Sequence, residues 1–129
     1  MILIDTSAWV EFFRDTGSPA CERVSALLDQ AFAINDPIRM EILAGARDEQ
    51  HLHQLRGLLA RATTLPTNPI DYEHAAFLYR RCRNGGETVR KLIDCLIAAT
   101  AIRAGTPLLH CDRDFDSLAH WTDLKIDPI

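Results

Sequence analysis

Between Ile2 and Cys111, short apolar runs alternate with longer stretches of helical periodicity, and that alternation restricts the chain to one class of architecture. Ile2-Leu3-Ile4, Ala31-Phe32-Ala33-Ile34, Thr63-Thr64-Leu65 and Pro107-Leu108-Leu109-His110-Cys111 read as strands, the wholly apolar ones of the buried, parallel type. Thr6 or Ser7 is expected to cap a first helix carrying Trp9, Val10, Phe12 and Phe13, of which the three aromatic residues read as core or dimer contacts. Gly17-Ser18-Pro19 starts a second helix, with Val24, Leu27 and Leu28 on one face. Asp36 as cap and Pro37 in the first turn open a third, which contains Glu41 and ends near Gly45. Further helices are expected over 48–61, over 71–83 up to Asn84-Gly85-Gly86, and over 88–104, closed by Gly105. Leu124-Lys125-Ile126 reads as an edge strand. Strands alternating with helices give an α/β fold whose mostly parallel sheet is covered on both faces. No repeat or linker interrupts the pattern, so residues 1–129 are expected to form one domain.

A chain of 129 residues buries enough surface to need no disulfide or structural metal. Cys21, Cys82, Cys95 and Cys111 are widely spaced and form no C-x-x-C pair, so they are read as reduced thiols. The five histidines show no ligand spacing either. The first residues do not read as a signal peptide, and no apolar stretch is long enough for a membrane span. The expectation is a cytoplasmic protein without a membrane partner.

The chemistry is concentrated in carboxylates far apart in sequence. Asp5 and Asp112 directly follow predicted strands, and open parallel sheets bind their ligands beyond the carboxyl ends of the strands. Asp94 interrupts Leu92-Ile93-Asp94-Cys95-Leu96-Ile97-Ala98-Ala99, where burying an unpaired carboxylate would cost several kcal/mol, roughly, unless a cation or hydrogen-bond network met it. Glu41, near the start of the helix after the second strand, can face the same edge. If these four meet, each pair about 4 Å apart repels by roughly 4 kcal/mol at an effective dielectric of about 20. A divalent cation removes the conflict, and oxygen-only ligands suit magnesium or manganese better than zinc. Such a centre activates water for attack on a phosphodiester. Asp36 reads as a cap and Asp116 as a structural residue.

A net charge of −4 argues mildly against a nucleic-acid ligand, but the distribution matters more. Setting the four acids aside leaves 14 of 18, equal to the 14 Lys plus Arg. Arg80, Arg81, Arg83, Arg90 and Lys91 form a basic stretch just before Asp94, the expected place for a phosphate-holding surface beside the metal.

The strand ending in Asp5-Thr6-Ser7, Glu41-Ile42-Leu43-Ala44-Gly45, Ile93-Asp94-Cys95-Leu96-Ile97-Ala98-Ala99-Thr100-Ala101 and His110-Cys111-Asp112-Arg113-Asp114-Phe115 together resemble the PIN domain. In length and spacing the chain is similar to the VapC toxins of bacterial toxin–antitoxin modules. That resemblance implies a three-layer α/β/α sandwich and a Mg²⁺-dependent endoribonuclease, with Mn²⁺ able to substitute. It also implies a homodimer, and inhibition by a VapB-type antitoxin whose tail covers the site. The family's metal positions fall on Asp5 and Asp94, then Asp112 and Glu41, with Asp114 as a further acid and Thr6 or Ser7 as a supporting hydroxyl. The RNA implied is structured, a transfer-RNA or ribosomal-RNA loop.

Two other readings compete. A phosphotransfer domain of the receiver or phosphatase type would pair an aspartate nucleophile with a lysine after a strand, and only Lys91 and Lys125 exist. A non-catalytic PIN-like module would bind RNA or protein without cutting, and retention of all four acids speaks against it.

Overall fold

The architecture follows from where the apolar runs end. In a computed structural model, which describes residues 1–129, these runs form β1 (Ile2–Ile4), β2 (Phe32–Asn35), β3 (Thr63–Leu65) and β4 (Leu108–Leu109). All pair in parallel, in the order β3-β2-β1-β4. Register is set by Leu3, which lies opposite Ala33 on one side and Leu108 on the other. The expected edge strand at 124–126 is reduced to a single parallel bridge between Leu108 and Ile126.

Seven helices complete the fold: α1 (Thr6–Phe13), α2 (Pro19–Leu27), α3 (Asp36–Ala44), α4 (Glu49–Leu59), α5 (Pro69–Asn84), α6 (Leu92–Ala104) and α7 (Arg113–Trp121). The steps β1→β2 and β2→β3 run one way across the sheet, whereas β3→β4 runs back across it. Right-handed crossovers therefore assign α1 to α4 to one face and α5 and α6 to the other. Leu3, Ile4, Ala33, Ile34, Leu108 and Leu109 are fully buried between these layers. Each large aliphatic side chain buried in this way contributes roughly 1.5–3 kcal/mol.

Several boundaries differ from expectation. The cap of α1 is Asp5, whose carboxylate accepts from the Ser7 backbone N–H, not Thr6 or Ser7. The cap of α3 is Asn35, with Asp36 as the first helical residue. Asp5 directly follows β1 and Asn35 is the last residue of β2, so in both cases strand passes to helix without a separate turn. The expected helix over 88–104 begins four residues later, at Leu92, because Arg90 turns away to bond Asp112 and Asp114 and Lys91 is extended. Helix α7 was not expected at all.

Two ion pairs fix the outer elements. Arg103 on α6 holds the buried Asp71 of α5 through Nε at 2.9 Å and Nη2 at 3.0 Å, and keeps that carboxyl below its ordinary range. Arg23 on α2 grips the buried Asp127 the same way. The four cysteines are free thiols, and only Cys111 is exposed. No helix is long and apolar enough to cross a membrane.

Candidate metal centre

Strand β1 leaves toward β2 on one side and has β4 on its other side, so the crevice beyond their carboxyl ends is the switch point where open parallel sheets bind ligands. Asp5 and Asp112, the residues that open α1 and α7, frame it. Asp94 enters in the first turn of α6 and Asp114 in the first turn of α7. Three helix N-termini, of α1, α6 and α7, thus carry acidic groups into the crevice, where their dipoles favour negative charge.

Asp94, Asp112 and Asp114 each present an oxygen within 4.8 Å of the others. Asp94 is 5% exposed, and its Oδ2 is buried with no hydrogen-bond partner. Burial, aided by the nearby charges of Asp5 and Asp112 and in smaller part Glu41, pushes its carboxyl up to about 7. Asp5 is also buried and also raised by desolvation, against hydrogen bonds from the Ser7 hydroxyl at 2.6 Å and the Ser7 N–H at 2.9 Å. Ser7 Oγ in turn accepts from the Cys111 N–H, which ties α1 to the end of β4. Glu41 is half-buried and raised by the same cause, and its Oε1 accepts from Thr6 Oγ1 at 2.8 Å. The charge of Asp5 acts on Glu41 as well, so the four sequence-expected acids share one electrostatic neighbourhood.

Each carboxylate with repelling neighbours is destabilised here, and the protein supplies little to offset it. Arg90 meets the outer pair only: its Nε donates to Asp114 Oδ2 at 2.8 Å and its Nη2 to Asp112 Oδ1 at 3.0 Å. Lys91 stands close enough for its charge to lower Asp94 and Glu41. An unsatisfied buried oxygen facing a cluster of oxygen donors fits a hard divalent cation such as Mg²⁺ or Mn²⁺. No imidazole joins the set: His110 accepts the Asp112 N–H at Nδ1 and pairs with the exposed Asp116 at Nε2, which leaves Asp116 outside the cluster. Asp36 reaches only the Thr67 N–H.

The expected basic surface divides. Arg90 and Lys91 lie at the centre, whereas Arg80 and Arg81 line a shallow cleft with Phe77 and Asn84, and Arg83 stacks over Tyr79. Sequence reasoning missed the pair beneath the site, where buried Asn35 at the end of β2 donates from Nδ2 to Thr100 of α6 at 2.6 Å. A polar residue ending an apolar strand was the available signal, the same one that marked Asp5. Phe13 is no core residue: it is 42% exposed and, with Thr6 and Glu41, lines a cavity.

With this geometry in hand, known proteins agree on the lineage. The PIN domain family matches residues 2–120. Ribonuclease VapC11 of Mycobacterium tuberculosis is 49% identical over 129 residues, covering 97% of this chain and 96% of its own. VapBC2 from Rickettsia felis, solved bound to a DNA fragment from its promoter, shares the fold at a TM-score of 0.77 and 19% identity over 98% of both chains. VapBC-1 of nontypeable Haemophilus influenzae gives a TM-score of 0.77 at 22% identity, over 98% of this chain and 97% of that one. The chain belongs to the PIN domain family and, within it, to the VapC ribonucleases.

Proposed function

We propose that the protein is a Mg²⁺-dependent endoribonuclease, the toxin of a toxin–antitoxin pair, that cuts a structured RNA loop in the cytoplasm. The observation that carries this reading is the partnerless, buried Asp94 oxygen within a cluster of acids at the sheet's switch point. Asp5, Asp94 and Asp112, with Glu41 and Asp114 beside them, are the residues that would hold the cation. When bound, it supplies charge stabilisation for the scissile phosphate and makes water a stronger nucleophile.

The chain's own groups do the rest. Ser7 and Thr6 orient Asp5 and Glu41 by donating to one oxygen of each. Glu41, with a raised carboxyl, is suited to take the proton lost by attacking water. Lys91, exposed and close enough for its charge to act on Asp94 and Glu41, would offer a cation to the substrate phosphate. The test is incubation of purified protein with total RNA. Cleavage in Mg²⁺ or Mn²⁺ that stops on adding EDTA supports the proposal, and cleavage indifferent to EDTA contradicts it. A non-cutting PIN-like module would bind RNA and leave it intact under both conditions.

Partners follow from relatives and surface. The solved VapBC assemblies pair each toxin with a second protein, and we extend that to a VapB-type antitoxin for this chain. Homodimerisation is supported by an apolar face between α5 and α6, lined by Tyr72, Ala75, Ala76, Leu92, Ile93 and Leu96. Leu92 is 60% exposed and Tyr72 62%, which is unusual for such residues unless covered. Leu92→Glu is expected to convert the dimer to monomer in light scattering, because it places a charge in the apolar patch. An unchanged dimer mass would remove this face from the interface.

A further inference from the structure

Thr6 and Glu41, joined by their hydrogen bond beside the acidic cluster, also form one wall of a cavity of about 340 Å³ between α1, α3 and α4. That volume lies in the range of sites for small ligands. The clefts at His74 and Trp121, at Tyr72 and Leu92, at Gly105 and Asp123, and at Phe77 and Arg80 share no residue with the acidic cluster. The cavity adjoins the acidic cluster through Glu41.

The lining is of two kinds. Ile42 and Leu55 supply apolar surface, and Phe13 adds an aromatic ring, stacked on buried Trp9 with centroids 5.7 Å apart and planes 20° apart. The stack holds Phe13 in place although it is 42% exposed. Around it stand Arg14 and Arg47, both exposed and neither paired with a carboxylate, whereas Arg23, Arg90 and Arg103 are all committed to aspartates. His51 accepts the Arg47 N–H at Nδ1, so the neutral ring carries its proton on Nε2 and has a donor to offer.

An apolar partner would need neither arginine. A ring-stacking surface beside two unpaired guanidinium groups matches a flat heterocycle attached to phosphate. We propose that this cavity is a nucleotide subsite, which takes the base next to the scissile phosphodiester against Phe13 and that nucleotide's phosphate on Arg14 and Arg47. The proposal rests on the ribonuclease reading above and names where its substrate is gripped. It also assigns substrate binding to the α1–α4 side of the centre, apart from Lys91.

Two variants and one titration test it. Phe13→Leu keeps apolar volume but removes the ring, and Arg47→Ala removes an exposed, unpaired cation. Each is expected to raise KM for RNA about tenfold, the scale of one lost base-stacking or phosphate contact, while kcat at saturating Mg²⁺ stays within about twofold. In the metal-free wild type, 5′-mononucleotides followed by NMR are expected to shift the amides of Gly45, Arg47 and His51. Inorganic phosphate alone should shift them less, and Arg47→Ala should abolish the response. Unchanged KM in both variants with cleavage intact overturns the subsite and leaves the nuclease standing. Amides that respond to the antitoxin and to no nucleotide overturn it too, assigning the cavity to protein. Absence of cleavage under any metal condition would fail the nuclease reading, and the titration would still report on the cavity by itself.

Discussion

Asp94→Asn is expected to lower kcat for RNA cleavage by about 10²–10³-fold or more, the loss seen when a group supporting transition-state charge is removed, and yet to raise the melting temperature of the metal-free protein. Asparagine matches aspartate in shape, so the first turn of α6 keeps its packing. What disappears is a buried negative charge whose Oδ2 has no partner and whose neighbours Asp5 and Asp112 repel it. The gain should be several degrees at pH 8, on the scale of about 4 °C for each kcal/mol recovered. The paired signs discriminate: a variant inactive through misfolding would melt lower, whereas a vacated functional charge melts higher. Differential scanning calorimetry beside a cleavage assay reads both, and a lower metal-free melting temperature contradicts the assignment.

The same raised carboxyl sets a pH dependence. Asp94 moves from an ordinary 3.8 to about 7, so between those values the metal-free fold retains a proton that the unfolded chain has released. Stability therefore falls as pH rises across that window. The upward shifts of Asp5 and Glu41 act in the same direction. A divalent cation competes with that proton. Its apparent affinity should consequently rise about tenfold per pH unit below pH 7 and level off above, one proton being displaced per cation. In Asp94→Asn that slope should flatten. Titration calorimetry with Mn²⁺ at pH 5.5, 6.5, 7.5 and 8.5 measures it, and equal affinities across the series would show that no raised carboxyl takes part.

Much of this was readable from residues one at a time. Three of the four strands appeared as short apolar runs, and the acids at strand ends announced the edge of the sheet. Asp94 was marked by its apolar neighbours alone. What escaped was information carried by contacts distant in sequence. The start of α6 depends on Arg90 reaching residues more than twenty positions away, and no local propensity reports that. Helix α7 hid because five aspartates between 112 and 127 resemble a solvated loop; Asp112 as a cap, with buried Phe115 and Leu118 three apart, was the overlooked signal. The caps were misplaced because the helix starts at the strand's end, with Asp5 just after β1 and Asn35 the last residue of β2. The cavity at Phe13 required three helices to be placed together. Arg90 shows the same lesson in charge: read as a phosphate binder, it bridges Asp112 and Asp114.

On this reading the separated carboxylates together make one divalent-cation site. Crystals of the wild-type protein soaked in Mn²⁺ at pH 8, with anomalous diffraction data, test it most directly. A peak is expected at bonding distance from Asp94 and Asp112, with Asp5 and Glu41 facing it, and loss of that peak in Asp94→Asn. A protein that cleaves RNA with Mn²⁺ but shows its anomalous peak elsewhere, with the acidic cluster empty, would contradict it.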